Sequence, residues 1–130
     1  GKYVAPAPIE NILNANPNVE LSCVSGSGQP QPFAVLTLVE DLQGRVADDE
    51  ARERVHRALK DLLEKVNGQV EPHERLSFIA IAKEPWLIEN GFLTPTMKLR
   101  RAQIDDAYRA FIEGWYALGE PVVWHHALRA

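Results

Sequence analysis

Five apolar residues in the middle of this chain recur at helical spacing, and they constrain the fold more than any other pattern. They are Ala51, Val55, Leu59, Leu62 and Val66, spaced four, four, three and four residues apart. This spacing puts all five side chains on one face of an α-helix. Asp48 or Asp49 can cap the start of that helix, and Asn67-Gly68 can end it. A helix with one long apolar face needs a sheet or other helices to pack against, so it predicts a layered domain.

The segments on either side of this helix predict the layer that it covers. Residues 19–24 alternate between apolar and polar, whereas residues 33–39 are almost continuously apolar and β-rich; we expect two antiparallel strands. Residues 76–82 predict a third strand. Asn90-Gly91, between residues 86–88 and 92–94, predicts a tight hairpin. A short helix is expected over residues 8–15.

The last predicted helix begins near Ala102, and its apolar stripe is Ile104, Tyr108, Phe111, Trp115 and Leu118. The order α-β-β-α-β-hairpin-α predicts a small single α+β domain, with a central three-stranded sheet plus a β-hairpin, flanked by helices. The pattern after Pro121 predicts no element. We expect Trp86, Trp115 and Trp124 to be core or interface residues.

Size and charge exclude several classes of function. A chain of 130 residues fits one domain, and its net charge of −4 argues against nucleic acid as the main partner. The single cysteine, Cys23, permits no internal disulfide and indicates a reducing compartment. Its alternation with Val19 and Leu21 predicts a buried apolar residue rather than a nucleophile. No apolar run is long enough to span a membrane.

Lys98, Arg100 and Arg101 form a cationic cluster in a turn-rich segment before the last helix. Thr94-Pro95 stiffens the approach to Lys98, because proline fixes its own φ and restricts the residue before it. Three cations beside a rigid turn outline a site for an anion. The alternative interpretation is that all three are solvated surface charges, which are common in proteins.

The segment Leu93-Thr94-Pro95-Thr96-Met97-Lys98-Leu99-Arg100-Arg101 resembles the last signature of the adenylate-forming enzymes, Pro-x-Thr-x-x-Gly-Lys-x-x-Arg. Lys98 matches the family's catalytic lysine, and Arg101 matches its arginine. Met97 stands where most members have glycine, which is similar to the long-chain fatty acyl-CoA synthetase branch. The opening Gly1-Lys2-Tyr3-Val4-Ala5-Pro6-Ala7-Pro8-Ile9-Glu10 resembles the family's segment Gly-x-x-Val-x-Pro-x-x-Ile-Glu, just after its hinge.

The resemblance implies that residues 1–130 are the C-terminal lid domain of an AMP-forming acyl-CoA synthetase, cut from a longer chain. It implies ATP and CoA as cofactors, with magnesium in the full-length enzyme. It also implies an N-terminal adenylation domain as partner and a fatty acid as substrate. Lys98 would be catalytic, while Gly1, Lys2, Tyr3, Val4 and Arg101 would bind cofactor. We expect a cytoplasmic protein, with peripheral membrane association open for the full-length enzyme, and an isolated domain that is inactive.

Other interpretations remain open beside this one. A freestanding, non-catalytic α+β interaction module would fit the same fold. Glu10, on the first turn of the first helix, is expected to be structural because it complements the helix dipole. Four histidines, His56, His73, His125 and His126, have no recognised metal-ligand spacing, so we expect no metal site.

Overall fold

A mixed four-stranded sheet organises the part of the protein that the structure describes. The structure is a computed structural model, and it describes residues 3–26 and 28–125. The strands are β1 (Val19–Ser25), β2 (Phe33–Leu38), β3 (Ile79–Ile81) and β4 (Val122–Trp124), adjacent in that order. β1 runs antiparallel to β2, whereas β2, β3 and β4 are mutually parallel. The predicted antiparallel pairing of the first two strands is confirmed.

Four α-helices and one 3-10 turn accompany this sheet within the described ranges. They are α1 (Pro6–Asn14), α2 (Glu40–Arg45), α3 (Asp49–Asn67), the 3-10 turn Pro72–Glu74, and α4 (Arg101–Leu118). The predicted cap of the central helix is confirmed, since the Asp48 carboxylate accepts a hydrogen bond from the Ala51 amide at 2.9 Å. All five residues of the predicted α3 stripe are buried. The α+β class is therefore confirmed.

The sheet divides the core into two apolar layers. Alternate residues of β2 point to opposite sides: Ala34 and Leu36 belong to one buried cluster, whereas Phe33 and Val35 belong to the other. We call the side covered by α1 and α3 the first face, and the side covered by α4 the second face. A period of two along each strand gives each layer its own set of side chains.

The structure adds two short elements to the predicted architecture. It has four strands rather than three, because residues 122–124 add a short parallel strand beyond β3. The amide of Ile79 donates to the carbonyl of Pro121 at 2.9 Å at the start of this pairing. A strand of three residues is too short to show a repeating pattern. The six-residue α2 was likewise not predicted.

The reversal around Asn90-Gly91 is a closed turn, not a hairpin between residues 86–88 and 92–94. The amides of Phe92 and Leu93 both donate to the Leu87 carbonyl at 3.2 Å, and the Asn90 side chain accepts from the Leu87 amide at 2.9 Å. The antiparallel bridge lies one step further along, between Leu93 and Leu99. The local hydrogen bonds of Asn90 therefore displace the pairing toward the Lys98 segment.

The apolar stripe of α4 is confirmed except at its last position. Ile104, Tyr108 and Trp115 are buried on the second face and Phe111 packs partly against it, whereas Leu118 is exposed. The prediction for Leu118 is wrong because α4 ends at this residue, with Gly119 in the left-handed conformation at φ 65°. Trp86, Trp115 and Trp124 are all buried, as expected for core residues. Across the described residues, no helix is long and apolar enough to cross a membrane.

Candidate functional site

Lys98 lies at the end of a tight loop closed by backbone and threonine hydrogen bonds. The Thr94 amide donates to the Lys98 carbonyl at 2.8 Å, and the Met97 amide donates to the Thr94 carbonyl at 2.8 Å. The Lys98 amide donates to the Thr94 hydroxyl at 3.0 Å. Just outside the loop, the Arg100 amide donates to the Phe92 carbonyl at 2.9 Å. These bonds fix the backbone of Lys98, as Pro95 predicted, while its side chain is exposed.

Met97 takes the one left-handed backbone conformation found among the non-glycine residues that the structure describes, with φ 67°. It is the last residue of the turn 94–97 and the third of the loop residues 95–97, the place where a three-residue hairpin loop needs a residue with positive φ. Glycine adopts this conformation without steric cost, whereas a side chain with a Cβ does not. The loop geometry thus gives a physical reason why glycine suits the position that Met97 occupies.

Replacing Met97 with glycine should therefore leave the fold intact and relieve local strain. The relief is about 1–2 kcal/mol, and about 0.5–1 kcal/mol of it is offset by the greater freedom of glycine in the unfolded chain. We expect the free energy of unfolding to rise slightly or stay unchanged in urea denaturation. Met97→Val is the matched control, and it should lower stability, because a branched side chain fits positive φ worst. Equal stability of the two variants would contradict the account.

Arg101 is bound to Glu10 at the edge of the sheet rather than projecting freely beside Lys98. Its guanidinium donates to both carboxylate oxygens of Glu10, Nη1 to Oε2 at 2.8 Å and Nη2 to Oε1 at 2.7 Å. Glu10 Oε2 also accepts from the Val24 amide at 2.8 Å, and Arg101 Nη1 lies 3.7 Å from Cys23 Sγ. We call this arrangement the Glu10–Arg101 clamp. The hydrogen bond to Glu10 raises the pKa of Arg101, so the guanidinium stays charged.

Glu10 is structural, as expected, but for a different reason than the helix dipole. α1 begins at Pro6, so Glu10 lies beyond its first turn. Its side chain is 7% exposed, and that of Arg101 is 43% exposed. The pair thus consists of a buried carboxylate and a half-exposed cation. Sequence reasoning could not pair them, because they are 91 positions apart and neither belongs to a local motif that names the other.

Cys23 lies next to this clamp, and its thiol is unreactive at neutral pH. Cys23 as a residue is 1% exposed, which confirms the predicted burial. Burial raises its pKa from 9.0 to about 12, although Arg101 acts in the opposite direction. Because the thiolate is the reactive form, Cys23 is unsuited to be a nucleophile at neutral pH.

The raised pKa of Cys23 predicts a loss of stability in alkali. Below pH 9.0 the thiol is protonated in both the folded and the unfolded chain; between 9.0 and about 12 only the unfolded chain releases the proton. Stability is therefore lost as pH rises through this window, by up to about 4 kcal/mol. Urea unfolding of Cys23→Ala should show a shallower decline. Some decline remains, since burial also raises the pKa of Tyr116 to about 12. Parallel curves would contradict this assignment.

The structure describes part of the segment expected to bind cofactor. Gly1 and Lys2 lie outside the described residues. Tyr3 is 82% exposed, and Val4 is partly buried against the first face. Lys98 instead lies between Leu93 and Arg101, next to Leu99, and both leucines pack on the second face. Val4 and the Lys98 loop therefore pack against opposite faces of the sheet.

The histidines do not assemble a metal site within residues 3–26 and 28–125. No group of three or more His, Cys, Asp or Glu side chains is close enough to hold a metal ion there. His56 Nδ1 accepts a hydrogen bond from Trp124 Nε1 at 3.1 Å. His125 packs edge-on against Phe111 and Trp115. His126 lies outside the described residues.

A family model described as the AMP-binding enzyme C-terminal domain matches residues 1–120. The chain belongs to this family. It is a C-terminal domain of the AMP-binding, adenylate-forming enzymes. The resemblance drawn from the Lys98 segment and the opening residues is thereby confirmed at the level of the family.

Curated relatives agree with the family model. Long-chain-fatty-acid–CoA ligase 5 of Rattus norvegicus is 27% identical over 129 residues, covering 89% of this chain and 19% of that protein. Long-chain-fatty-acid–CoA ligase 1 of Homo sapiens is 29% identical over 131 residues, covering 90% and 19%. The chain thus spans about a fifth of the length of these relatives.

A solved structure shares the fold. The adenylation domain of carboxylic acid reductase from Segniliparus rugosus, in complex with AMP and a co-purified carboxylic acid, gives a TM-score of 0.73 at 28% identity. The match covers 91% of this chain and 19% of that one. The same C-terminal module therefore recurs in larger adenylate-forming chains.

Proposed function

We propose that this chain is the mobile C-terminal domain of a longer, AMP-forming fatty acyl-CoA synthetase. It would supply Lys98 to acyl-adenylate formation and, after rotating, residues 1–4 to the CoA tunnel. The observation that carries the proposal is the placement of Tyr3-Val4 and the Lys98 loop on opposite faces of one sheet. A rigid domain with one active segment on each side can serve two reactions by turning.

In the first step, a fatty acid carboxylate attacks the α-phosphorus of ATP, and the bond to pyrophosphate breaks. Negative charge grows on the carboxylate and α-phosphate oxygens as the bonds change. The Lys98 ammonium, on a fixed backbone and a free side chain, would reach between these oxygens and stabilise that charge. A compact cation on a flexible stem suits this position. The products are the acyl adenylate and pyrophosphate.

In the second step, the CoA thiol gives up its proton, its sulfur attacks the acyl carbonyl carbon, and AMP leaves. Rotation of the domain would withdraw Lys98 and bring residues 1–4 to the pantetheine tunnel. Gly1 suits a close approach of backbone to ligand, because it has no Cβ. Tyr3 is free to contact the tunnel, since its side chain is almost fully exposed. Arg101 is bound to Glu10, but its side chain is half-exposed, so a contact between Arg101 and the cofactor stays part of the proposal.

The remaining parts of the site are proposed to lie in an N-terminal adenylation domain of the same parent chain. That domain would hold ATP, its magnesium ion and the fatty acid. We propose a cytoplasmic enzyme with no nucleic acid partner and an isolated C-terminal domain without activity. The length of the curated relatives, about five times that of the matched region, supports a parent of this kind.

The alternative, a non-catalytic interaction module, has one observation in its favour. Leu87, Ile88 and Met97 are large apolar side chains that remain exposed, and all three lie in or near the turns that precede α4. Such side chains favour contact with a partner surface. A catalytic lysine loop must also dock on a larger domain, so the same exposure fits the synthetase. Family membership makes the synthetase the better supported proposal.

The test measures the two half-reactions separately in the full-length parent. Tyr3→Ala should slow thioester formation from ready-made acyl adenylate by about tenfold, since it removes one aromatic contact, and leave ATP–pyrophosphate exchange unchanged. Leu118→Ala is the matched control, an exposed apolar residue at the end of α4, and should alter neither. Equal loss of both half-reactions in Tyr3→Ala would count against the two-face proposal.

A further inference from the structure

The Glu10–Arg101 clamp joins the two faces of the domain around the edge of the sheet. β1 is an edge strand, and the Val24 amide points outward to Glu10 rather than to β2. Glu10 comes from α1 on the first face, and Arg101 comes from α4 on the second. Among the hydrogen bonds and ion pairs of the described residues, this clamp alone links these two helices directly.

Both ends of the clamp are close in sequence to the segments assigned to the two steps. Arg101 is the first residue of α4 and follows Lys98 by three positions, through backbone held by the Leu93–Leu99 bridge. On the other side, α1 starts two residues after Val4 and carries Glu10 in its second turn. The sheet otherwise separates the two segments. A shift of Arg101 relative to Glu10 would therefore move the base of Lys98 relative to residues 3–4.

We infer that Glu10 is a positioning residue, which acts through Arg101 to hold the Lys98 loop in the geometry that adenylation requires. The inference rests on the proposed function. The clamp suits the role because an arginine bound by both carboxylate oxygens has a fixed direction as well as a fixed distance. Its Glu10 carboxylate is further fixed by the Val24 amide. Small misplacements of a reacting group far from the substitution can cost large factors in rate.

A double-mutant cycle in the full-length parent separates positioning from general support of the fold. Glu10→Gln keeps the side-chain length and an acceptor for the Val24 amide. It removes the negative charge and one of the two oxygens that accept hydrogen bonds from Arg101. We expect it to lower ATP–pyrophosphate exchange by about tenfold. In the Lys98→Ala background it should cause no further loss, because the group it positions is gone. Exchange is measured in buffer where denaturant titration shows both variants to be folded.

Two additional variants complete the design. Arg101→Lys keeps the positive charge but loses the bidentate hydrogen bond to Glu10. If Glu10→Gln does not fold, the same double-mutant cycle is measured with Arg101→Lys. Glu50→Gln alters an exposed ion pair, Arg54 with Glu50 at 3.9 Å, and should leave exchange unchanged. The inference is overturned if Glu10→Gln lowers exchange by the same factor in the parent and in the Lys98→Ala background. It is also overturned if Glu10→Gln causes no loss of exchange in the parent that retains Lys98. If Lys98→Ala alone leaves exchange intact, the proposed function itself fails, which is a separate outcome.

Discussion

Lys98→Ala in the full-length parent is expected to lower carboxylate-dependent ATP–pyrophosphate exchange by at least about a hundredfold. The loss has this size because a charge aimed at the transition state in a water-poor site stabilises it by several kcal/mol. The loop that carries Lys98 gains nothing structural from its ammonium group. Its bonds use the Lys98 backbone and the side chain of Thr94. The folded fraction of the variant should therefore match that of the parent.

Arg100→Ala is the matched control for this variant, because Arg100 is an exposed cation two residues further along. Its side chain makes only a 3.5 Å contact with the Gly91 carbonyl. We expect a change in exchange of less than about threefold, as for a surface charge. If Lys98→Ala leaves exchange unchanged, Lys98 is an ordinary surface lysine, and family membership then describes only the fold.

Arg101→Ala is expected to destabilise the isolated chain by about 3 kcal/mol. The variant leaves the Glu10 carboxylate buried, and among the described residues the Val24 amide is its remaining hydrogen-bond donor, at 2.8 Å. Removing one member of a buried pair costs about 3–5 kcal/mol, because the other charge is left uncompensated. We take the lower end, because Arg101 is half-exposed and water can reach the site once its side chain is gone. Urea unfolding measures the change.

The control for this second prediction is Arg54→Ala, which breaks the exposed pair with Glu50. Pairs of this kind contribute about 0–1 kcal/mol, so we expect almost no change. A loss below about 1 kcal/mol in Arg101→Ala would mean that the clamp contributes little more than such a surface pair. The same result would weaken the inference that the clamp positions Lys98.

The elements that could be predicted from the sequence are those with enough residues to show a period. The stripe of α3 and its Asp48 cap were predicted correctly, because nineteen residues repeat the helical spacing several times. β4 has three residues, and α2 has six, so neither shows a repeat. Asn90-Gly91 was predicted as a tight hairpin between residues 86–88 and 92–94. The Asn90 side chain instead bonds to residues 85 and 87, and the antiparallel bridge forms between Leu93 and Leu99.

The candidate site divides in the same way between local and long-range information. The Lys98 loop is a local motif, and Pro95 predicts its rigidity, because proline restricts its own backbone and that of Thr94. The Glu10–Arg101 clamp depends on how α1 and α4 meet at the edge of β1, which no local pattern encodes. Met97 is a third case, in which the sequence shows the unusual residue but not its conformation. Its departure from glycine was visible in the sequence, whereas its positive φ is seen only in the structure.

Thioester formation from ready-made acyl adenylate and CoA by the Lys98→Ala parent tests the central claim most directly. The proposal assigns Lys98 to the first step alone and residues 1–4 to the second. It therefore predicts that this variant forms thioester at a rate within about threefold of the unaltered parent, although it no longer makes the adenylate. A loss of thioester formation as large as the loss of exchange would contradict the assignment of the two faces to two separate steps.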